Sequence, residues 1–431
     1  MARRVKGAVQ SPAILAAKQN SASLIAARYR VLAWIFVLLI LATHAFFLWS
    51  VRDRIARGDP DFTVFYTAGK ILRNGLGAHL YDPATQQAVQ RNFTANFEIR
   101  QGPLPYIHPP FEALIFLPLT FLPYRDAFVL WNALNAGVLL GVAFLLRRTF
   151  ELLAPLPGWK LLLIELAFFP VLANFHQGQD AILLLLVVAL SFRALDRNAN
   201  FLAGCWMALG LFKYHLIVPL ALILAIWRGR RFLLGLGAMA AALAAISVTL
   251  TGLRGAMQYP AYAWRVVSDP ALGGIPARQL PNLLGLLGGW QSGGRTPGTL
   301  QVIVLALSAA LLIAVASLKK TARDPHFFKL CFACAVISAL LVGYSTNSYD
   351  LSLLLVPLAV IADHVVRQGS IKGKLVIPVI PLLVSPFWFF LWLGWARIGL
   401  MAIFLVWWLY ALYRELKQLG ASQDSLSPTV A

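Results

Sequence analysis

The chain has 431 residues, 59% of them hydrophobic and only 13% charged, with a mean hydropathy of +0.72. A water-soluble fold of this length could not bury so large an apolar excess, so the composition is that of a polytopic membrane protein, each span needing roughly 20 apolar residues to cross a core of about 30 Å. The net charge of +20 would suggest nucleic acid in a soluble protein; here the cations cluster at the ends of apolar runs, as the positive-inside bias and anionic lipid favour, and nucleic acid is set aside as a partner.

Residues 1–30 carry Arg3, Arg4, Lys6, Lys18, Arg28 and Arg30 and no acid, which predicts a basic cytoplasmic segment. The first apolar run, 31–49, ends in Phe46, Phe47, Leu48 and Trp49 rather than in small residues, so it reads as a retained anchor and not as a cleaved signal. Residues 51–110 form an outer aqueous loop with five of the 17 acids: Asp53, Asp59, Asp61, Asp82 and Glu98. Gly58 and Pro60 break a helix there and 68–72 can restart one, placing Asp61 near a helix start, where simple capping also favours an acid. Tyr106-Ile107-His108-Pro109-Pro110-Phe111 then leads into 112–122, too short to span and closed by Pro123, an interfacial helix.

Runs 127–146, 161–175 and 181–195 alternate across the membrane, with Arg147, Arg148, Arg193 and Arg197 at their cytoplasmic ends. Segment 201–227 breaks the alternation, because it starts beside Arg197 and ends in Arg228, Arg230 and Arg231. A hairpin of two short helices, 201–212 and 216–227, turning near Lys213 reconciles the charges. Its irregular backbone at membrane depth must then line a cavity. Runs 232–251, 299–318, 327–344, 351–366, 375–393 and 398–413, with an outer loop at 252–298, complete an all-α bundle of about ten full spans in a single domain, 31–413. Both termini are expected in the cytoplasm, and the polar tail 414–431 is expected to be disordered. Cys205, Cys331 and Cys334 all lie in apolar runs and read as packing residues rather than as a zinc site or a disulfide.

Two polar turns join apolar runs on the outer side: His176-Gln177-Gly178-Gln179-Asp180, and Tyr344-Ser345-Thr346-Asn347-Ser348-Tyr349-Asp350. Asp350 and Lys213 are charges in apolar surroundings, and each needs a partner. No phosphate-binding P-loop, dinucleotide fingerprint, metalloprotease motif or nucleophile elbow competes with these features.

Asp61-Phe62 with nearby Tyr66, then Leu80-Tyr81-Asp82, Tyr106, Pro109-Pro110, Leu117-Pro118-Leu119, Gly178-Gln179, Gly204 and Gly210 leading to Lys213, and Tyr349-Asp350 before 353–357 resemble, in that order, glycosyltransferase family 87. The resemblance covers roughly residues 61–357 and departs from the family where Tyr214 and His215 follow Lys213. It implies a GT-C-like inner-membrane enzyme that takes a polyprenyl-phosphate-sugar donor, moves a hexose, most simply mannose, to an envelope glycolipid or glycan acceptor at the extracytoplasmic face of the plasma membrane, and uses Asp61 as base with Asp59 as its neighbouring competitor. Phosphate is a competent leaving group but needs positive charge beside it, which nominates Lys213, Arg265 and Arg278. Tyr66, Tyr106, His108, His176, Gln179, Asn347, Tyr349 and Asp350 are the expected substrate-binding residues; no metal or other cofactor is expected. A secondary transporter or lipid flippase is the alternative, since broken helices and an intramembrane lysine occur there too.

Overall fold

The computed structural model describes residues 12–94, 104–268, 275–290, 297–369 and 373–426. Arg3, Arg4, Lys6, Glu98, Lys372 and the last five residues of the tail lie outside the described residues. Among those described, every regular element is helical. Seven helices among the described residues are long and apolar enough to cross a membrane, or up to nine if each of two bent pairs counts as one span, against the ten expected.

The bends correct two expectations of straight spans. The run at 161–175 is the pair Gly158–Leu166 and Phe169–Gln177, bent by 78°, with Pro170 in the first turn of its second half. The run at 375–393 is the pair Gly373–Leu383 and Ser385–Gly394, bent by 59°, interrupted by Pro378, Pro381 and Pro386. Proline lacks an N–H and crowds the preceding turn, so helices break or restart at it. His44 of the first span ties the two bends together: its Nε2 lies 2.9 Å from Ser385 Oγ and its Nδ1 3.1 Å from the Leu166 carbonyl oxygen. The first helix, Pro12–Ala56, extends beyond the expected anchor at both ends. The last, Met401–Leu426, continues well into the tail expected to be disordered.

Segment Asn200–Arg228 is long enough to cross on length and composition, yet it folds back on itself. A Cβ on Gly204 would stand 2.1 Å from the Phe232 carbonyl oxygen, and one on Gly235 1.9 Å from that of Phe201. A straight helix would put residues 204 and 228 about 36 Å apart, so this contact requires a reversal, made by the 3-10 turn Gly210–Lys213 between Asn200–Leu209 and Tyr214–Arg228. The two glycines let the backbones of neighbouring helices touch, the usual small-residue solution where lipid supplies no hydrophobic drive for association.

The expected outer loop after residue 251 is largely helical. Helix Arg230–Ser268 breaks only at Gly252 (φ 71, ψ 165) and continues as a second arm. Beside that arm lies a separate aromatic core under helix Phe62–Arg73. Phe62, Phe65, Tyr66, Phe116 and Trp131 are buried there, with Phe65 and Phe116 stacked at 4.5 Å. This core fastens the Asp61 segment to the bundle.

Candidate active site

A cleft of about 310 Å³ opens where four polar segments meet: the residue before helix Phe62–Arg73, the turn after Phe169–Gln177, the hairpin apex, and the turn leading into Tyr349–Leu354. Asp61, His176, Gln179, Lys213, Asn347 and Tyr349 all line it. Although Asp61 occupies the N-cap position, its side chain makes no capping hydrogen bond. Gln179 Nε2 donates to Asp61 Oδ2 at 2.9 Å, and the Asp61 backbone N–H donates to Gln177 Oε1 at 3.1 Å.

Gly178 makes that double grip possible. It adopts the left-handed conformation (φ 60) that ends the helix before it, and a Cβ there would stand 2.7 Å from Phe62 Cβ. Only glycine meets both conditions, and the sharp turn aims Gln177 and Gln179 at the same aspartate.

Behind Gln179 lies a buried ion cluster. Lys213, 2% exposed, donates to Gln179 Oε1 at 3.2 Å and pairs with Asp180 Oδ1 at 3.0 Å and Asp350 Oδ1 at 3.2 Å. Its ammonium also sits 4.9 Å from the centre of the Tyr349 ring. The amide of Gln179 is therefore oriented by its neighbours, oxygen toward the cation and nitrogen toward the carboxylate. Asn347 N–H donates to Asp350 Oδ2 at 2.8 Å, holding the second carboxylate.

A third acid joins from the short helix Pro110–Phe116. Glu112 is fully buried, with Oε2 2.9 Å from His108 Nδ1. Burial, followed by the charge of Asp180, pushes the Glu112 carboxyl well above its ordinary value. Burial pushes His108 down to about 4, while for Asp180 burial acts upward but the adjacent Lys213 outweighs it and holds the carboxyl low. A protonated Glu112 donating to Asp180 gives the buried Glu112 Oε1 a partner, beside the ammonium that already pairs with Asp180 Oδ1. His108, Glu112 and Asp180 bring donor atoms within 4.8 Å of one another, close enough to hold a metal ion. The Lys213 ammonium already supplies a cation to that group.

The geometry sorts the expected residues. Asp59 pairs instead with Arg54, Nε to Oδ2 at 3.1 Å, and does not line the cleft. Tyr66 donates to the Leu122 carbonyl at 2.7 Å and Tyr106 to that of Pro109 at 2.9 Å; both are buried supports. His108 and His176 do line the cleft, the latter 3.0 Å from Gln177 Nε2 and packed on Phe47 and Trp392. Arg278 is exposed and Arg265 lines a different cleft; neither lines the cleft that holds Asp61. Sequence reasoning missed Asp180 and Glu112 as members of the site. Asp180, like Asp350, is an acid opening an apolar helix and so needs a partner; nothing local distinguishes Glu112. It also missed His215, which lines the cleft with an Nε2 that has no hydrogen-bond partner among the described residues.

A family model for glycosyltransferase family 87 matches residues 106–343, more than half of the chain. No curated protein and no solved structure matches it.

Proposed function

Since the chain belongs to glycosyltransferase family 87 and is thus a membrane glycosyltransferase rather than a transporter or flippase, we propose that it moves a hexose, mannose in the first instance, from a polyprenyl phosphate carrier to an envelope glycolipid or glycan at the extracytoplasmic face of the plasma membrane. The observation that carries this reading is Asp61 in the cleft wall, oriented by Gln179 and Gln177.

In this mechanism Asp61 takes the proton from an acceptor hydroxyl as the oxygen attacks the anomeric carbon. A sugar hydroxyl is a weak nucleophile at neutral pH, and a positioned base contributes about 10² to 10⁴ in rate. The bond from the anomeric carbon to the phosphate oxygen breaks as the new glycosidic bond forms, and the lipid phosphate leaves as an anion without help from an acid. One displacement from the opposite face inverts the anomeric centre, so a β-linked donor yields an α-linked product.

Lys213 spends its charge on Asp180 and Asp350, so its role here is to hold Gln179 and hence the base. The donor phosphate falls to hydrogen-bond donors that line the cleft, His215 Nε2 first among them. The test is transfer from a synthetic mannosyl polyprenyl phosphate to membrane lipid extract by the purified protein. Asp61→Asn should lose about 10² to 10⁴ of the rate with an unchanged melting temperature, and His215→Phe should raise the KM for the donor more than for the acceptor. Normal turnover by Asp61→Asn would remove it as the base.

A further inference from the structure

The second arm of the kinked helix separates the Asp61 cleft from another. Val266 and Val267 face the first, whereas Arg254, Gln258, Tyr262 and Arg265 face a second opening of about 820 Å³, closed on its far side by His79 and Asp82. That volume lies within the range of ligand sites, about 300 to 1,000 Å³. We propose that this second cleft binds the phosphate-bearing headgroup of a net-anionic membrane lipid, independently of the glycosyl-transfer chemistry at Asp61.

Three observations carry the assignment. First, neither guanidinium has a carboxylate partner among the described residues; Arg265 only packs over the Tyr262 ring, at 5.7 Å from its centre. Second, the one acid in the lining is turned to another task. Asp82 accepts from Ala84 N–H at 3.3 Å, Thr85 N–H at 3.1 Å and Thr85 Oγ1 at 2.6 Å, capping helix Pro83–Arg91. With two guanidinium groups against that one carboxylate, the lining keeps a net positive charge, and guanidinium is the side chain best shaped for phosphate oxygens.

Third, the same arm carries an exposed apolar stripe. Leu253, Met257 and Trp264 are 65%, 70% and 68% exposed; at one hundred degrees per residue they share a face roughly a quarter-turn from Arg254, Gln258 and Arg265. An apolar stripe with a tryptophan beside a cationic one is how a helix sits at the membrane interface. A phosphate there comes attached to acyl chains that the apolar stripe can meet. A free anion would gain nothing from that stripe.

Native mass spectrometry of the full chain in detergent tests this with short-chain phosphatidylglycerol, short-chain phosphatidylcholine and glycerol phosphate as probes. Wild type should retain phosphatidylglycerol at least tenfold better than phosphatidylcholine, and glycerol phosphate should compete only in large excess. Arg254→Gln and Arg265→Gln should each weaken phosphatidylglycerol about fivefold and together about 25-fold, the equivalent of about 1 kcal/mol per arginine. Asp61→Asn should bind it as wild type does. No preference for the anionic lipid, or full retention by the double variant, overturns the site; equal competition by glycerol phosphate overturns its assignment to lipid; loss of binding in Asp61→Asn overturns its independence from the first cleft.

Discussion

Gln179 joins Asp61 to Lys213, donating to the carboxylate at 2.9 Å with one end of its amide and accepting from the ammonium at 3.2 Å with the other. One neutral side chain thus lies between a candidate base and a buried ion cluster. Removing it with Gln179→Ala should lower kcat by about tenfold to a hundredfold, the scale expected when a reacting group loses its alignment, while leaving the donor KM within a factor of a few. A loss confined to KM would place Gln179 on the substrate instead of on the base.

Lys213→Met should act first on folding. It leaves Asp180 and Asp350 buried without their cation, and breaking a buried pair from one side costs about 3 to 5 kcal/mol. A large drop in melting temperature in detergent, partly recovered by adding Asp350→Asn, is the expected pattern. An undisturbed melting temperature with a selective rise in donor KM would return Lys213 to the phosphate.

Gly178→Ala should be damaging beyond its size. The left-handed backbone there, together with a 2.7 Å approach to Phe62, combines conformational strain with overpacking, each of about 1 kcal/mol or more. Because the turn aims both Gln177 and Gln179, activity should fall further than stability. Comparing initial rates with melting temperatures separates the two effects.

Glu112 predicts a pH dependence. Its carboxyl, raised by burial and by Asp180, keeps its proton in the folded chain at pH values where the unfolded chain, titrating near its ordinary value of 4.5, has released it. The folded state binds the extra proton, so this stabilising contribution is whole below pH 4.5 and declines as pH climbs toward the raised folded value. Between about pH 5 and 8 the melting temperature of wild type should therefore fall relative to Glu112→Gln, whose amide does not titrate. His108, pushed down to about 4, works in the opposite sense between about 4 and 6.5, but it is present in both proteins. Parallel curves for the two would rule out a protonated Glu112.

Asp59→Asn is the contrast to Asp61. Its bond to Arg54 is made at the surface, the arginine side chain 57% exposed, and such pairs contribute under about 1 kcal/mol. Transfer activity should persist. A loss matching that of Asp61→Asn would make Asp59 the base.

Much of this was readable in the chain itself. Hydropathy marks membrane residence residue by residue, so most of the spans, the short helix before Pro123 and the acid-rich segment around Asp61 follow from composition and local order alone. Charge at both ends of 201–227 pointed to a reversal at Lys213, because each cation seeks water on its own account. Proline at 170, 378, 381 and 386 was equally visible, but a proline states only that a helix is interrupted; the angles of 78° and 59° come from what the two halves pack against.

What tertiary structure decided is which polar turns meet. Lys213 is 33 residues from Asp180 and 137 from Asp350 in sequence; each needed a partner, yet hydropathy carries no record of which one. Asp59 and Asp61 are nearly indistinguishable on paper, and separate only because Arg54 takes one while the turn at Gly178 presents Gln179 to the other. The placement of Arg265 in a second cleft rests on the same ground: a helix has two faces, and only its neighbours determine what each one sees. Local sequence sets how every residue relates to water and lipid, whereas contacts between distant residues arise from close packing of whole helices, which is a property of the assembled surface.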